Sequence, residues 1–172
     1  MRKEILTPPC QIYRPYKSSD APDIALHYNN NLKMPDNIWC AVGKEMSTLK
    51  VNLHRIIIAR RGILLDQVHH DENGFLSYFI GYEKNKTATF SMGVVNLDTH
   101  DPMQILRRDT AVFIEKLLES GNERLIISGS SDKGRYVDWM EHEVKMQRDL
   151  HNNRWMADKD TLSLYVKKIL LT

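Results

Sequence analysis

The sequence predicts a single α+β domain, residues 1–172, in which a mixed sheet is flanked by helices. Its 172 residues suit one domain with one core, since domains typically contain roughly 100–150 residues. Hydrophobic residues make up 42% and charged residues 27%, which excludes a disordered chain and a membrane-embedded one. Strand-like and helix-like patterns alternate along the chain, without a repeat, a linker or a low-complexity segment.

The N-terminal quarter predicts a strand, a capped helix and further helices. A short strand over Gln11–Arg14 is followed by a helix that begins at Ser19 or Asp20, whose side chains suit an N-cap. Asn29-Asn30-Asn31 ends this helix soon afterwards. Apolar residues at three- or four-residue spacing then predict one or two helices between Asp36 and Leu53.

The middle of the chain carries the strongest strand patterns. Ile56-Ile57-Ile58 is β-branched and predicts a buried strand, and Ile63-Leu64-Leu65 predicts a second short one. His69–Gly74 is polar, ends in a turn-prone Asn-Gly pair and predicts a loop. Leu76–Tyr82 and Thr87–Leu97 flank a polar turn, which predicts an antiparallel hairpin.

The C-terminal half predicts two helices and two strands. Asp101-Pro102 is a favourable helix start, and the helix that follows ends at Gly121. Arg124–Ser128 predicts an apolar strand, and an amphipathic pattern predicts a helix over Lys133–His151. Thr161–Leu170 predicts a strand, although its lysine-bearing end is equally compatible with a helix.

Charge, cysteines and the N-terminus narrow the classes of protein. Lys+Arg 24 against Asp+Glu 22 gives a net charge of +2, too small by itself to indicate nucleic acid or an anionic membrane. The sequence has neither a run of roughly 20 apolar residues nor a signal-peptide stretch at its start. Cys10 and Cys40 lack metal-ligand spacing and predict free thiols. The expected location is the cytoplasm of a bacterial host, or a virion.

Two blocks of sequence resemble the GNAT acyltransferase superfamily. Ile12-Tyr13-Arg14-Pro15 followed by Ser19-Asp20-Ala21-Pro22-Asp23-Ile24 resembles the opening strand and the first helix start of that superfamily. A second block, from Ile105-Leu106-Arg107-Arg108 to Trp139-Met140, resembles the phage-encoded branch that includes internal virion proteins of T7-type podoviruses. The resemblance implies a GNAT-like mixed sheet flanked by helices.

The sequence departs from the GNAT pattern where the family binds acetyl-CoA. Active members carry a Gln/Arg-x-x-Gly-x-Gly/Ala loop, whose backbone N–H groups contact the pyrophosphate at a helix N-terminus. The junction here, Asn96–Gln104, contains no glycine. Pro102 lacks an N–H donor, and Asp98 and Asp101 add negative charge. The tyrosine acid of the family's last helix has no clean match, and Tyr136 is the nearest tyrosine.

These departures predict a non-catalytic GNAT-like protein that acts through protein–protein contacts, as a phage virion or accessory protein, without a cofactor. The alternative is an acyl-CoA-dependent N-acetyltransferase with an atypical cofactor loop, so whether the chain is an enzyme stays open. In that alternative the resemblance implies these site residues: backbone groups of Val94, Val95 and Asn96 for the pantetheine arm of acetyl-CoA, Arg107 or Arg108 for its phosphates, and Tyr136 as the proton donor.

A basic stretch and a histidine pair are the remaining candidates. The stretch from Lys44 to Arg61 contains only one acidic residue, and its candidate partner-binding residues are Lys44, Lys50, Arg55, Arg60 and Arg61. It suits an acidic protein partner, and a further alternative is nucleic-acid binding that weakens steeply with salt. His69-His70-Asp71-Glu72 offers metal-ligand types but has no distant partner motif, so it predicts a solvated loop and no metal site.

Overall fold

The chain folds around one mixed sheet, seen in a computed structural model that describes residues 5–7, 11–33, 44–128 and 135–171. The sheet has eight strands in the order β1-β2-β3-β4-β5-β6-β8-β7. Neighbouring strands are antiparallel except for the central pair, β5 and β6, which is parallel. The strands are β1 (Ile5–Thr7), β2 (Gln11–Arg14), β3 (Ile63–Asp71), β4 (Gly74–Lys84), β5 (Thr87–Val95), β6 (Arg124–Ser128), β7 (Gln147–Asp149) and β8 (Arg154–Asp158).

Helices cover both faces of the sheet, which confirms the predicted α+β class. They are α1 (Ala21–Leu32), α2 (Thr48–Arg61), α3 (Pro102–Glu119), α4 (Arg135–Asp138), which continues into a π-helical turn over Trp139–Val144, and α5 (Lys159–Leu170). One hydrophobic cluster joins α1 and α2 to the sheet, and the other joins α3, the π-helical turn and α5 to it.

Strand β4 contributes buried side chains to the hydrophobic clusters on both faces of the sheet. Successive side chains of a strand point to opposite faces. Tyr78 and Ile80 are fully buried in the cluster beneath α1 and α2, whereas Phe79 between them is fully buried in the cluster beneath α3. A strand that is buried on both faces has a continuous apolar pattern instead of an alternating one.

The predicted strand Ile56-Ile57-Ile58 is wrong, because these residues belong to α2. The helix begins after Ser47, whose side chain accepts a hydrogen bond from the backbone N–H of Lys50, and it ends at Arg61 before Gly62. Only Ile58 of the three isoleucines is buried. The predicted helices over 36–53 fall partly on residues 34–43, which lie outside the described residues.

The loop predicted over His69–Gly74 is largely strand. Strand β3 continues to Asp71 and pairs with β4 down to Gly74, so only Glu72 and Asn73 form the turn. His69 is 2% exposed instead of solvated, because its side chain lies under α3. The predicted hairpin of β4 and β5 is confirmed, with a turn at Asn85 and Lys86, which both have positive φ.

The C-terminal predictions are wrong in two places. The helix predicted over Lys133–His151 stops at Val144, because Lys145 adopts a left-handed conformation that ends the π-helical turn. The segment predicted as a strand, Thr161–Leu170, lies in α5, where Asp158 caps the first turn by accepting from the Thr161 N–H. The strand in this part of the chain is β8, which directly precedes α5 and which the sequence pattern did not indicate.

The ion pair between Arg14 and Asp20 makes the junction of β2 with α1 acid-sensitive. Burial by itself raises the pKa of Asp20, but hydrogen bonds from the Arg14 guanidinium, at 2.7 and 2.8 Å, and from the Lys17 N–H hold it below its ordinary value. A carboxylate with a lowered folded-state pKa stabilises the fold above its unfolded pKa of about 3.9, and this stabilisation is lost as pH falls through the folded value.

We therefore expect Asp20→Asn to lower the free energy of unfolding by about 2 kcal/mol at pH 7. The difference from the wild-type chain should shrink as pH falls below about 4, because protonated Asp20 also lacks the charge. Urea unfolding at several pH values between 3 and 7 measures both quantities. A difference that stays constant across this range would contradict the assignment of acid sensitivity to this pair.

Candidate active site

The central parallel pair of strands opens into a gap. Strand β5 pairs with β6 only over Thr87–Phe90, opposite Arg124–Ile127. Beyond Phe90, β5 continues through Val95, whereas β6 ends at Ser128. Among the described residues, β6 therefore stops pairing with β5 after Phe90, and Gly93 and Val95 lie on the edge of β5 that is left without a strand partner; this edge is the strand gap.

A β-bulge marks the point where the strands separate. Ile80 of β4 pairs with Met92 and Gly81 pairs with Phe90, so Ser91 is the extra residue of β5. Gly81 is required here, because a Cβ at this position would lie 2.3 Å from the carbonyl oxygen of Thr89. The bulge leaves Ser91 exposed at the start of the gap.

Backbone groups of β5 point into the gap at alternate residues. The N–H of Asn96 donates to Leu76 of β4, so Val95 presents its N–H and C=O to the opposite, open edge. There the buried amide of Asn31 contacts both, donating to the Val95 carbonyl at 2.7 Å and accepting from its N–H at 3.2 Å. Gly93 faces the same edge by alternation, and no hydrogen bond from another described residue reaches it on that side.

This geometry locates the three backbone positions that the sequence analysis assigned to pantetheine. The backbone of Val95 hydrogen-bonds to the Asn31 side chain, and the N–H of Asn96 donates to Leu76. The backbone groups of Val94 point toward β4 by alternation. Their assignment stays a prediction. Gly93 lies on the same edge, between the bulge and Val95, and nothing in the sequence pattern indicated it.

The N-terminus of α3 is capped by the chain itself. The Asp101 carboxylate accepts from the Gln104 N–H at 3.1 Å, and the Asp101 carbonyl accepts from the Ile105 N–H. A cleft of about 470 Å³ lies beside this helix end, and Asp71, Asp98 and Asp101 are among its lining residues. The predicted negative charge at this junction is therefore present, and it lies next to the helix end.

The two arginines of α3 point to different sides of the helix. Arg107 Nε donates to the Glu143 carboxylate at 2.7 Å, so this side chain faces the π-helical turn that follows β6. Arg108 instead lies near the hydroxyl of Tyr13 on β2. Of the two, Arg107 is on the side of the helix that faces the segment after β6, and the predicted phosphate role of both stays a prediction.

Aromatic side chains fix the π-helical turn against α3 and α5. Trp139 Nε1 donates to the Tyr165 hydroxyl at 3.1 Å, which in turn donates to the Arg107 carbonyl at 2.8 Å. Burial raises the pKa of Tyr165 well above its ordinary value, so this hydroxyl stays protonated. The side chain of Tyr136 lies outside the described part of the chain, and its role as proton donor stays a prediction.

A histidine of α2 contacts the bulge from the face of the sheet that lies opposite α3. His54 Nε2 lies 3.0 Å from Ser91 Oγ, although 37 positions separate the two residues in sequence. Burial and the nearby charges of Arg61 and Arg55 lower the pKa of His54, so the imidazole is neutral at pH 7. No spacing rule indicated this pair, because only the packing of α2 on the sheet creates it.

The basic stretch is divided between the interior and the surface. Arg55 donates to Asp66 and, at 2.9 Å, to the Tyr78 hydroxyl, and its guanidinium lies 3.9 Å from the centre of the Tyr16 ring. It therefore contacts residues of its own chain, which differs from the predicted partner role. The other candidate partner-binding residues are exposed, and their role stays a prediction: Lys44, Lys50, Arg60 and Arg61.

A buried polar cluster lies between α3 and the first strands. The fully buried Asp109 carboxylate accepts from the hydroxyls of Tyr13 at 2.8 Å and Ser77 at 2.6 Å, and it contacts His69 Nδ1 at 2.6 Å. His69 also stacks on the Tyr13 ring. Within the described ranges, no group of three His, Cys, Asp or Glu side chains is placed to hold a metal ion.

Solved structures with the same arrangement identify the fold. The chain superposes with a TM-score of 0.68 on FdhC, a nucleotide-linked sugar GNAT, at 11% identity over 94% of this chain and 93% of that one. The fold is that of the GNAT acyltransferases. No family model and no curated protein matches the sequence.

Two further GNAT structures match nearly the whole chain. Ribosomal-protein-S5-alanine acetyltransferase from Vibrio fischeri gives a TM-score of 0.65 at 13% identity, covering 92% of this chain and 98% of that one. Spermidine N-acetyltransferase from Vibrio cholerae, solved with CoA and spermine, gives 0.67 at 11% identity, covering 89% and 98%. At identities this low, the superposition establishes that the chains share the GNAT fold.

These comparisons contradict the predicted non-catalytic role, because the matching structures are named acetyltransferases. That prediction was based on the absence of a glycine-rich loop between β5 and α3. The strand gap between β5 and β6 does not depend on this loop. Placement in the phage-encoded branch stays a prediction. Among the helices that the structure describes, none is long and apolar enough to cross a membrane.

Proposed function

We propose that the chain is an acyl-CoA-dependent N-acetyltransferase whose acyl donor lies between β5 and β6. The observation that carries this proposal is the end of the pairing between the two parallel strands after Phe90, together with the Gly93 backbone, which has no hydrogen bond from another described residue on that edge. An extended ligand in this gap can add hydrogen bonds to the edge of β5, as a further strand would. The amides of a pantetheine arm supply the complementary donors and acceptors.

The proposed donor extends from the α3 side of the sheet toward the bulge. Its phosphates meet the first turns of α3, and its thioester comes next to Ser91, where the strands separate. Because the Asp101 carboxylate already caps the helix, backbone N–H groups contribute less to phosphate binding than in a glycine-rich loop. The positive charge of a side chain has to supply the rest of the phosphate binding. Arg107 lies on the side of α3 that faces the π-helical turn after β6.

The reaction is the transfer of an acetyl group from the thioester to an amine. The neutral amine nitrogen attacks the carbonyl carbon, the C–S bond breaks, and the sulfur leaves with the electron pair and takes up the proton that the attacking nitrogen loses. At neutral pH a primary amine is mostly protonated, so the chain must also accept a proton from it. The gap positions the thioester, and the proton acceptor must lie beside the bulge.

The test of this function is direct measurement of acetyl-CoA binding and turnover. We expect the purified chain to bind acetyl-CoA in isothermal titration and to release CoA with at least one of three acceptors: an N-terminal alanine peptide, spermidine or a nucleotide-linked amino sugar. The matching structures are named for a nucleotide-linked sugar, a ribosomal-protein alanine and spermidine, and each of the three acceptors offers an amine related to one of these names. Absence of both binding and turnover with all three acceptors would contradict the proposal.

The role of Arg107 gives a prediction that separates phosphate binding from pantetheine binding. We expect Arg107→Ala to weaken acetyl-CoA binding roughly tenfold, because one charge-assisted contact with a phosphate is lost. Binding of acetyl-pantetheine, which has no such pyrophosphate group, should stay within twofold. Titration of both ligands against both chains provides the measurement.

Glu143→Gln is the matched control for this prediction. It breaks the same ion pair from the other side but leaves the Arg107 charge in place. Binding of acetyl-CoA should therefore stay the same or become tighter. Equal weakening by both substitutions would mean that the pair only holds the π-helical turn in position.

A further inference from the structure

We propose that His54 and Ser91 form the proton relay that deprotonates the acceptor amine, a role that rests on the proposed acetyltransferase function. Ser91 receives the proton of the amine as its own hydroxyl proton passes to His54 Nε2. The two side chains come from different layers of the protein, α2 and the central sheet. They meet at the bulge where the proposed thioester lies.

The position of the pair suits an acceptor and not the acyl donor. The donor occupies the gap from the α3 side, which leaves the α2 side for the second substrate. His54 belongs to α2, and Ser91 is exposed on the bulge that connects the two sides. An amine that approaches from the α2 side therefore meets the Ser91 hydroxyl before it reaches the carbonyl carbon.

The hydrogen-bond geometry allows proton transfer in one step along the pair. The Nε2–Oγ distance of 3.0 Å lies within hydrogen-bond range, and in the tautomer that the relay requires, with the proton on Nδ1, the neutral imidazole accepts at Nε2. The ammonium proton of the acceptor moves to Ser91 Oγ as the former hydroxyl proton moves to His54, which leaves an imidazolium, a neutral serine and a neutral amine. The freed nitrogen then attacks the carbonyl carbon, the C–S bond breaks, and a second proton of this nitrogen goes to the leaving sulfur.

The surroundings of His54 keep it unprotonated before the reaction. Burial lowers the pKa of His54, and the charges of Arg61 and Arg55 on its own helix act in the same direction. From the sheet beneath α2, Asp66 and the Tyr78 hydroxyl both contact Arg55. His54 Nδ1 is buried and has no hydrogen-bond partner in the described structure, which leaves Nε2 as the ring nitrogen that exchanges protons with Ser91.

The experiment compares His54→Gln, Ser91→Ala and the wild-type chain with whichever of the three acceptors is acetylated. At pH 7 we expect His54→Gln to lower kcat roughly 100-fold, because a general base typically contributes 10²–10⁴-fold. Ser91→Ala should lower kcat by at least roughly tenfold, since a less well-held water has to replace its hydroxyl. The KM for acetyl-CoA should stay within twofold in both variants, because neither side chain binds the donor.

The pH profile separates a base from a structural role. In the His54→Gln chain, kcat should rise with pH toward the pKa of the acceptor amine, so that the deficit shrinks above about pH 9. His151→Gln is the matched control: this histidine is exposed in the turn between β7 and β8, and its replacement should leave kcat unchanged. Urea unfolding and acetyl-CoA titration of each variant establish that the chain is folded and binds the donor.

Two results would overturn the relay. If the wild-type chain acetylates an amine and both variants retain at least half of its kcat, the relay is wrong while the proposed function stands. If a variant loses kcat equally at pH 7 and pH 9.5, its side chain acts on structure and not on the proton. A wild-type chain that neither binds acetyl-CoA nor acetylates any of the three acceptors would contradict the function and the relay together.

Discussion

Asp109→Asn is expected to lower the free energy of unfolding by about 3–5 kcal/mol, the range typical of breaking a buried charged contact. The fully buried carboxylate accepts from two hydroxyls and contacts His69 Nδ1. Burial and the charge of Asp109 raise the pKa of Tyr13 well above its ordinary range, so Tyr13 stays a donor. An asparagine amide turns a donor toward groups that are themselves donors, and it leaves at least one of them unpaired.

Urea unfolding of the variant measures this loss. Glu115→Gln is the control, because Glu115 is exposed on the same helix and its neutralisation should change stability by less than about 0.5 kcal/mol. A loss below about 1 kcal/mol for Asp109→Asn would mean that the cluster contributes little net stability. Comparison with Tyr13→Phe, which removes a single donor and should cost about 1 kcal/mol, tests whether the carboxylate organises the group.

Phe79→Ala is expected to cost about 3–5 kcal/mol, as for other large aromatic side chains deleted from a core. Phe79 is fully buried, and its ring lies 5.8 Å from the rings of both Phe90 and Phe113. These three rings belong to β4, to the last residue of β5 that pairs with β6, and to the middle of α3. Loss of the Phe79 ring therefore weakens the support of the strand gap as well as the core.

The measurements for this variant are urea unfolding and acetyl-CoA titration. Phe79→Leu retains most of the side-chain volume and should cost less than half as much. Leu164→Ala, which truncates a side chain that is 69% exposed, should be nearly neutral. Equal losses for Phe79→Ala and Phe79→Leu would mean that ring stacking, and not the filled volume, supports this part of the core.

Local signals account for the parts of the fold that the sequence predicted correctly. The hairpin of β4 and β5 has apolar strands around a polar turn, and α3 has a strong start at Asp101-Pro102 with an apolar face. Where a helix and a strand both fit the same residues, the local pattern predicted the wrong one. Ile56-Ile57-Ile58 has β-branched side chains, but the helix that begins at Ser47 continues through them.

The candidate site was predicted less completely, because it is made of contacts between distant residues. The resemblance to GNAT proteins correctly implied the fold, and the missing glycines led to the wrong functional conclusion. Gly93 carries no sequence signal beyond being a glycine. Its significance comes from its place on the edge of β5 beyond Phe90, where the described residues of β6 no longer pair with β5.

The sequence by itself determined the α+β class, the central hairpin, the long helix α3 and the acidic, glycine-free junction before it. Periodicity, turn residues and caps are properties of neighbouring positions, so they can be read along the chain. Only the tertiary structure decided that the two central strands separate, that Asn31 occupies the edge at Val95, and that His54 meets Ser91. These features depend on which layers pack together and where a strand pair ends, and no local pattern encodes either.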